Sequence, residues 1–165
     1  MADPSASGSH RAGMRVVAVV IAVGTVIAYA VLSGLWVSTG SAWYLALEQP
    51  SWQPPNAVFG LAWTYNFTAL AAVGIVLALR LPQRPLVAYL GLFAISVIAA
   101  VLWAWLFYVP HQLVAAAVSL TACALMTIGL VVIAWREAWW CGALLLPYQA
   151  WLLVASSLSW GYVVG

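Results

Sequence analysis

The sequence predicts an all-α integral membrane protein: a bundle of five transmembrane helices with a Trp- and Pro-rich first loop that acts as a lid. Of its 165 residues, 67% are hydrophobic and only 5% are charged, and the mean hydropathy is +1.07. A soluble domain carries about 25% charged residues. The apolar runs are long and continuous, whereas a membrane β-barrel would show alternating stretches of about ten residues.

Five apolar runs are each long enough to cross a bilayer, which takes about 20 helical residues. We expect a disordered Ser-, Ala- and Gly-rich tail at residues 1–13 and a single domain at residues 14–165. The alternative for the first run is a secretory signal cleaved after Ala30. The run continues through Trp36, which favours a retained helix. The predicted spans are 14–37, 56–79, 86–108, 113–135 and 141–164.

The arginines predict the orientation in the membrane. Arg11 and Arg15 precede the apolar run of the first span, which begins at Val16. Arg80 and Arg84 lie between the second and third spans, and Arg136 lies between the fourth and fifth. All five arginines lie on one side of the predicted membrane, and the loops on the other side carry neither Lys nor Arg. Because basic residues accumulate on the cytoplasmic side, we expect the N-terminus inside and the C-terminus outside.

The residue types exclude several kinds of chemistry. From Val16 onward, the predicted spans contain no Asp, Glu, Lys or Arg, which argues against a proton relay or an ion pathway. We find no Ser/His/Asp set, paired carboxylates or metal-ligand spacing, so we expect no catalytic residue, no metal and no obligatory cofactor. Cys123 and Cys141 are typical of small buried apolar residues. The chain has no lysine and no basic cluster, which argues against nucleic acid as a partner.

The loop between the first two spans contains Pro50, Pro54 and Pro55. Proline fixes φ and has no N–H to donate, so this loop should be stiff, with Pro54 and Pro55 leading into the next helix. Flat aromatic faces suit a flat conjugated ligand. The alternative is that the rings only fill gaps between helices. The aromatic candidates for a cavity wall are Trp52, Phe59, Trp63, Trp103, Trp105, Phe107, Tyr148 and Trp151.

Small residues follow each other at helical spacing on two spans. Ser96, Ala100 and Ala104 form such a stripe on the third span, and Ala30 and Gly34 form one on the first. Helices in lipid associate through close packing of small residues. Each stripe is therefore either an internal seam or a face that binds a second copy or another membrane protein.

Three segments resemble a known family. Pro50-Ser-Trp-x-Pro-Pro-x-x-x-Phe-x-x-x-Trp63-Thr64 resembles the signature of the TspO/MBR family, the translocator and tryptophan-rich sensory proteins. Trp103-Ala-Trp-Leu-Phe107-Tyr108 and Leu146-Pro-Tyr-x-x-Trp151 are similar to its helix-three and helix-five segments. The resemblance covers about residues 43–162 and indicates a divergent, bacterial-type member, which would lie in the cytoplasmic membrane of a bacterium.

The resemblance implies a five-helix homodimer that binds a tetrapyrrole, such as protoporphyrin IX or haem, beneath the first loop. It implies a receptor or carrier with a sensory, regulatory or transport role; some bacterial members also degrade porphyrin in light through a pocket tryptophan. Tyr148, Ala155 and Ser159 fall on one face of the fifth span at helical spacing. Together with the residues that the resemblance implies and the aromatic candidates, they give the predicted ligand-binding set, which is Trp52, Phe59, Trp63, Trp103, Phe107, Tyr148, Trp151, Ala155 and Ser159.

Some positions depart from the family pattern. Phe67, Ala100 and Ser159 stand where the family has Tyr, Asn and Asn, and Trp105 replaces its Pro. Several polar groups of the family pocket are thereby lost. Two alternatives follow: a carrier of another apolar ligand, such as a carotenoid or other isoprenoid, or a structural or regulatory subunit of a larger membrane complex.

Overall fold

The computed structural model describes residues 4–165, with side chains from residue 12 onward, and it is helical throughout apart from connecting loops. Five of its six helices are long and apolar enough to cross a membrane, which confirms the predicted fold class. The helices are α1 (Pro4–Trp36), α2 (Ala42–Ala46), α3 (Asn56–Arg80), α4 (Gln83–Tyr108), α5 (Leu113–Glu137) and α6 (Trp139–Val164).

The start of the chain differs from the expected tail at residues 1–13. Residues 1–3 lie outside the described part of the chain, and α1 is already helical from Pro4. Proline suits the first turn of a helix because its missing N–H would be unpaired there. The long apolar run that follows lets the same helix continue without a break to Trp36.

The five long helices form a closed ring. Helix α1 packs against α3 and α4, α4 against α5, α5 against α6, and α6 back against α3. Short turns join α3 to α4, α4 to α5 and α5 to α6, and α1 packs between α3 and α4 in the ring. Residues 37–55 connect α1 to α3 and include α2. We call residues 37–55 the lid, and the end of the bundle that they cover the lid end. Arg80, Arg84 and Arg136 lie at the opposite end.

The turn between α5 and α6 is very short because glycine lets the two helices approach closely. Only Ala138 separates them. A Cβ on Gly142 would lie 2.5 Å from Cε3 and 2.9 Å from Cα of Trp135. Such distances are well inside van der Waals contact, so a larger residue at position 142 would force the helices apart.

Hydrogen bonds between helices pair several polar groups of the interior. Thr127 of α5 donates to Gln149 Oε1 at 2.7 Å, and Gln149 Nε2 donates to the Ala124 carbonyl at 2.9 Å. An amide in a transmembrane helix needs such a partner on a neighbour. On the other flank of α6, the Tyr65 hydroxyl donates to the Leu144 carbonyl at 3.0 Å.

The small-residue stripe of α4 is an internal seam. Ser96, Ala100 and Ala104 are all buried inside the bundle. Ala30 and Gly34 of α1 line the cavity described below. The α4 stripe is therefore not a surface that a partner protein could bind, whereas Gly34 of the α1 stripe is exposed.

Candidate functional site

A cavity of about 420 Å³ lies at the lid end of the bundle. Its walls come from α1, α3, α4 and α6, and the lid forms its roof. Its lining residues are Tyr29, Ala30, Ser33, Gly34, Val37, Thr39, Tyr44, Gln53, Asn56, Phe59, Trp63, Phe67, Ala100, Trp103, Phe107, Tyr108, Trp151, Ala155, Leu158, Ser159 and Tyr162.

The direction of each helix tells how deep its residues lie. Helices α1, α4 and α6 end at the lid and α3 begins there, so Asn56 and Tyr162 mark the mouth, and Phe67 and Trp151 mark the floor. Trp151 and Tyr162 are eleven residues apart. At 1.5 Å of rise per residue, the cavity is about 16 Å deep.

Aromatic rings pack against one another on the floor and walls. The Tyr29 ring meets Trp63 edge-on at 5.6 Å and Phe67 edge-on at 5.3 Å, and Trp63 stacks on Phe67 at 5.3 Å. Phe59 meets Trp151 edge-on at 5.2 Å. Edge-on and offset-stacked pairs are the favourable arrangements of such rings. The contacts therefore hold the rings in place whether or not a ligand is bound.

A hydrogen bond links α4 to α6 in the cavity wall. The indole Nε1 of Trp103 donates to Ser159 Oγ at 3.2 Å. Ser159 is one of the positions that depart from the family pattern. Its hydroxyl, although smaller than an amide, satisfies the indole donor and fixes the plane of the Trp103 ring.

A tight turn aims one polar side chain of the lid inward. The backbone N–H of Gln53 donates to the Pro50 carbonyl at 2.9 Å. The Tyr162 hydroxyl donates to Gln53 Oε1, Gln53 Nε2 donates to the Tyr44 hydroxyl at 3.4 Å, and the two tyrosine hydroxyls are 3.1 Å apart. If Tyr44 donates to Tyr162, each of the three groups donates once. We call Tyr44, Gln53 and Tyr162 the lid latch.

Helix α2 is anchored on the turn between α4 and α5. Trp43 stacks on the His111 imidazole, with ring centroids 3.9 Å apart and planes 14° apart, and meets Phe107 edge-on at 5.4 Å. His111 is the turn residue and has a φ of 56°, in the left-handed region. The Ser41 hydroxyl accepts from the Tyr44 amide at 3.2 Å and caps α2.

Trp52 lies on the outside of the lid and is not among the residues that line the cavity, although it was expected there. Its side chain is 55% exposed. The turn that aims Gln53 inward leaves Trp52 at the outer edge of α6, where a Cβ on Gly161 would lie 3.0 Å from its Cζ2 atom. Pro50 contacts the same glycine, and Pro55 directly precedes the first residue of α3.

Tyr148 is the second predicted residue that does not line the cavity. It lies about one turn below Trp151 and is 1% exposed. Its hydroxyl, the Tyr29 hydroxyl and the Cys123 thiol are neighbours, although neither hydroxyl completes a hydrogen bond of ordinary geometry. The other predicted residues line the cavity: Phe59, Trp63, Trp103, Phe107, Trp151, Ala155 and Ser159.

Several lining residues were not predicted from the sequence. Gln53 and Asn56 lie within the proline motif that was identified, but their polarity gave no reason to place them in an apolar site. Tyr29 is the one aromatic residue in the middle of α1, and its isolation in an aliphatic run was an available signal.

Three polar groups of the lining have no hydrogen-bond partner among the described residues: the Tyr29 hydroxyl, the Ser33 hydroxyl and the indole N–H of Trp151. All three are buried atoms. Within residues 12–165, no three His, Cys, Asp or Glu side chains come together as a metal site would require. The arrangement suits an organic ligand held by ring faces and a few hydrogen bonds.

Comparisons with known proteins agree on one family. The sequence model of the TspO/MBR family matches residues 16–164. Protein CrtK of Rhodobacter capsulatus is 31% identical over 120 residues, covering 72% of this chain and 74% of the relative. Translocator protein of Ovis aries is 33% identical over 129 residues, with 73% of each chain covered. Tryptophan-rich protein TspO of Bacillus cereus is 28% identical over 118 residues, covering 72% and 76%.

Proposed function

The chain belongs to the TspO/MBR family, and on that basis we propose that it is a membrane receptor or carrier for a flat, largely apolar ligand. Tetrapyrroles such as protoporphyrin IX and haem are the first candidates. The observation that carries the proposal is the cavity of about 420 Å³ under the lid, walled by aromatic rings from the four helices α1, α3, α4 and α6. Small-molecule sites span about 300–1,000 Å³ and are mainly apolar.

The relatives' names describe transport and sensing, and both roles need a ligand to enter and leave. The lid is held over the cavity by the lid latch and by the packing of Trp43 on His111. Opening these contacts would expose the mouth near Asn56. With the arginine-bearing end in the cytoplasm, the mouth would face the outside of the cytoplasmic membrane.

The shape of the cavity favours a compact ring over an elongated isoprenoid. Its lining runs from the lid to Tyr29, Phe67 and Trp151, and these side chains close it below. A homodimer is part of the same proposal. It would use outward-facing helix surfaces, because the α4 stripe is buried within the bundle.

Titration of purified protein in detergent with protoporphyrin IX, followed by tryptophan fluorescence and porphyrin absorbance, tests the proposal. Ala155→Phe places a ring in the cavity and should weaken binding by about tenfold or more, which corresponds to ~1.4 kcal/mol. Ala150→Phe makes the same change on an exposed face of α6 and is the matched control. Absence of saturable binding to the wild type, or equal affinities for the two variants, would refute the proposed function.

A second set of titrations tests where the porphyrin binds. Trp151 lines the cavity, whereas Trp139 lies at the opposite end of α6 and is 69% exposed. Trp151→Phe should remove a larger share of the ligand-dependent quenching than Trp139→Phe, because energy transfer and contact quenching fall with distance. Equal losses of quenching would place the porphyrin outside the cavity.

A further inference from the structure

The cavity offers no counter-charge to an ionised ligand. Within residues 12–165, none of the side chains that line it is Asp, Glu, Lys, Arg or His. Arg80, Arg84 and Arg136 lie at the far end of the bundle, and Glu48 is exposed on the lid. The nearest imidazole, His111, is stacked on Trp43 and is not part of the lining.

An ionised carboxylate that entered this cavity would lose its hydration without gaining a cation. Burial of an unpaired charge is among the most unfavourable events in a protein interior. The buried donors of the lining, Tyr29, Ser33 and Trp151, are neutral. Neutral groups of this kind cannot neutralise a charge.

Five polar side chains of the lining meet at the mouth. Thr39, Gln53 and Asn56 lie at the lid, together with the hydroxyls of Tyr44 and Tyr162. The deeper walls are formed mainly by rings and aliphatic groups, such as Phe67, Ala100 and Leu158. A flat ligand with one polar edge would therefore lie with that edge at the lid and its apolar body on the aromatic floor.

We propose that the cavity recognises the uncharged body of its flat ligand, that any carboxyl groups remain at the mouth, and that these groups add nothing to affinity. The inference rests on the proposed function and specifies the ligand chemistry of the same site. It predicts that a neutral ester of a tetrapyrrole binds at least as tightly as the free acid. It also predicts that binding of either form depends little on salt.

The test compares protoporphyrin IX with its dimethyl ester on the full-length protein in one detergent. Ala155→Phe serves in both titrations to subtract partition into the micelle. We expect the ester to bind within about twofold of the free acid or more tightly, since tenfold corresponds to ~1.4 kcal/mol of lost interaction. An ester that binds tenfold or more weakly than the free acid would overturn the inference, and so would a free-acid affinity that falls steeply with salt.

A charge placed at the mouth tests the orientation. Thr39 is exposed and lines the cavity. Relative to Thr39→Gln, Thr39→Arg should raise the ratio of free-acid affinity to ester affinity by about two- to fivefold, as expected for a solvent-exposed ion pair. Thr39→Gln is the neutral control of similar reach. An unchanged ratio would overturn the placement of the carboxyl edge at the lid.

The outcomes separate the two proposals. If neither porphyrin binds saturably to the wild type, the proposed function fails and this inference fails with it. If the free acid binds and Ala155→Phe weakens that binding, while the ester does not bind, the proposed function stands and this inference alone is refuted.

Discussion

Gly161 of α6 lies directly beneath Pro50 of the lid, and a methyl group on Gly161 would lie 2.6 Å from Pro50 Cγ. The next residue along α6, Tyr162, donates its hydroxyl to Gln53 at the other end of the same lid turn. One turn of α6 therefore holds the lid both by close packing and by hydrogen bonds. This pair of contacts is where the cover of the cavity can be loosened selectively.

Gly161→Ala should displace the lid. The Pro50 ring cannot rotate out of the way, so the loop backbone must move to accept the new methyl group. We expect proteolytic cleavage within the lid to become about three- to tenfold faster, a change of ~0.6–1.4 kcal/mol in lid opening. Gly91→Ala on α4 is the control, because nothing lies near its Cβ position. Alanine is favoured over glycine in a helix by up to about 1 kcal/mol, so that control should be neutral or stabilising. Equal cleavage rates for both variants would argue against close packing at Gly161.

The lid latch should behave as one coupled unit. Tyr162→Phe removes the hydroxyl that bonds both Gln53 and Tyr44, and Gln53→Ala removes the amide. In a double-mutant cycle on lid opening, followed by amide hydrogen exchange of residues 42–53, we expect a coupling energy of about 0.5–1.5 kcal/mol. Strictly additive effects would show that the two side chains act independently.

Two Tyr→Phe substitutions should change stability in opposite directions. The Tyr89 hydroxyl is buried without a hydrogen-bond partner among the described residues, whereas the Tyr65 hydroxyl donates to the Leu144 carbonyl at 3.0 Å. An unpaired buried polar group costs about 1–3 kcal/mol, so Tyr89→Phe should raise the thermal unfolding temperature in detergent. Tyr65→Phe loses a bond between α3 and α6 and should lower that temperature. Destabilisation by Tyr89→Phe would show that its hydroxyl has a partner, such as an ordered water.

Cysteine labelling checks the orientation in the membrane. Native Cys123 and Cys141 are buried and should give a low background with a membrane-impermeant maleimide. Ser51→Cys on the lid should be labelled in intact cells, and Gln83→Cys at the start of α4 only after lysis; both positions are exposed. The opposite pattern would place the lid in the cytoplasm and contradict the orientation predicted from the arginines.

The sequence was sufficient for the membrane crossings because apolar length is a local property. Each long run had to be a helix, since a chain in lipid must pair its own backbone groups. Proline placement likewise located the lid and the start of α3, because its effect on φ and on hydrogen bonding acts within a few residues. Spacing on α6 also placed Tyr148, Leu152, Ala155, Ser159 and Tyr162 on one face, and the last three of these line the cavity.

The tertiary structure decided which of two neighbouring residues lines the cavity. Trp52 and Gln53 are adjacent, and the aromatic residue was expected inside; instead the turn closed by Pro50 and Gln53 aims the amide inward and leaves the indole outside. The residues of the turn do not specify how it packs on α6. The position of the turn depends on Gly161 and Tyr162, which are more than a hundred residues away in the chain. Contacts between distant segments also determined that the α4 stripe is an internal seam. The sequence shows that the residues of the stripe are small, but it does not show which helix packs against them.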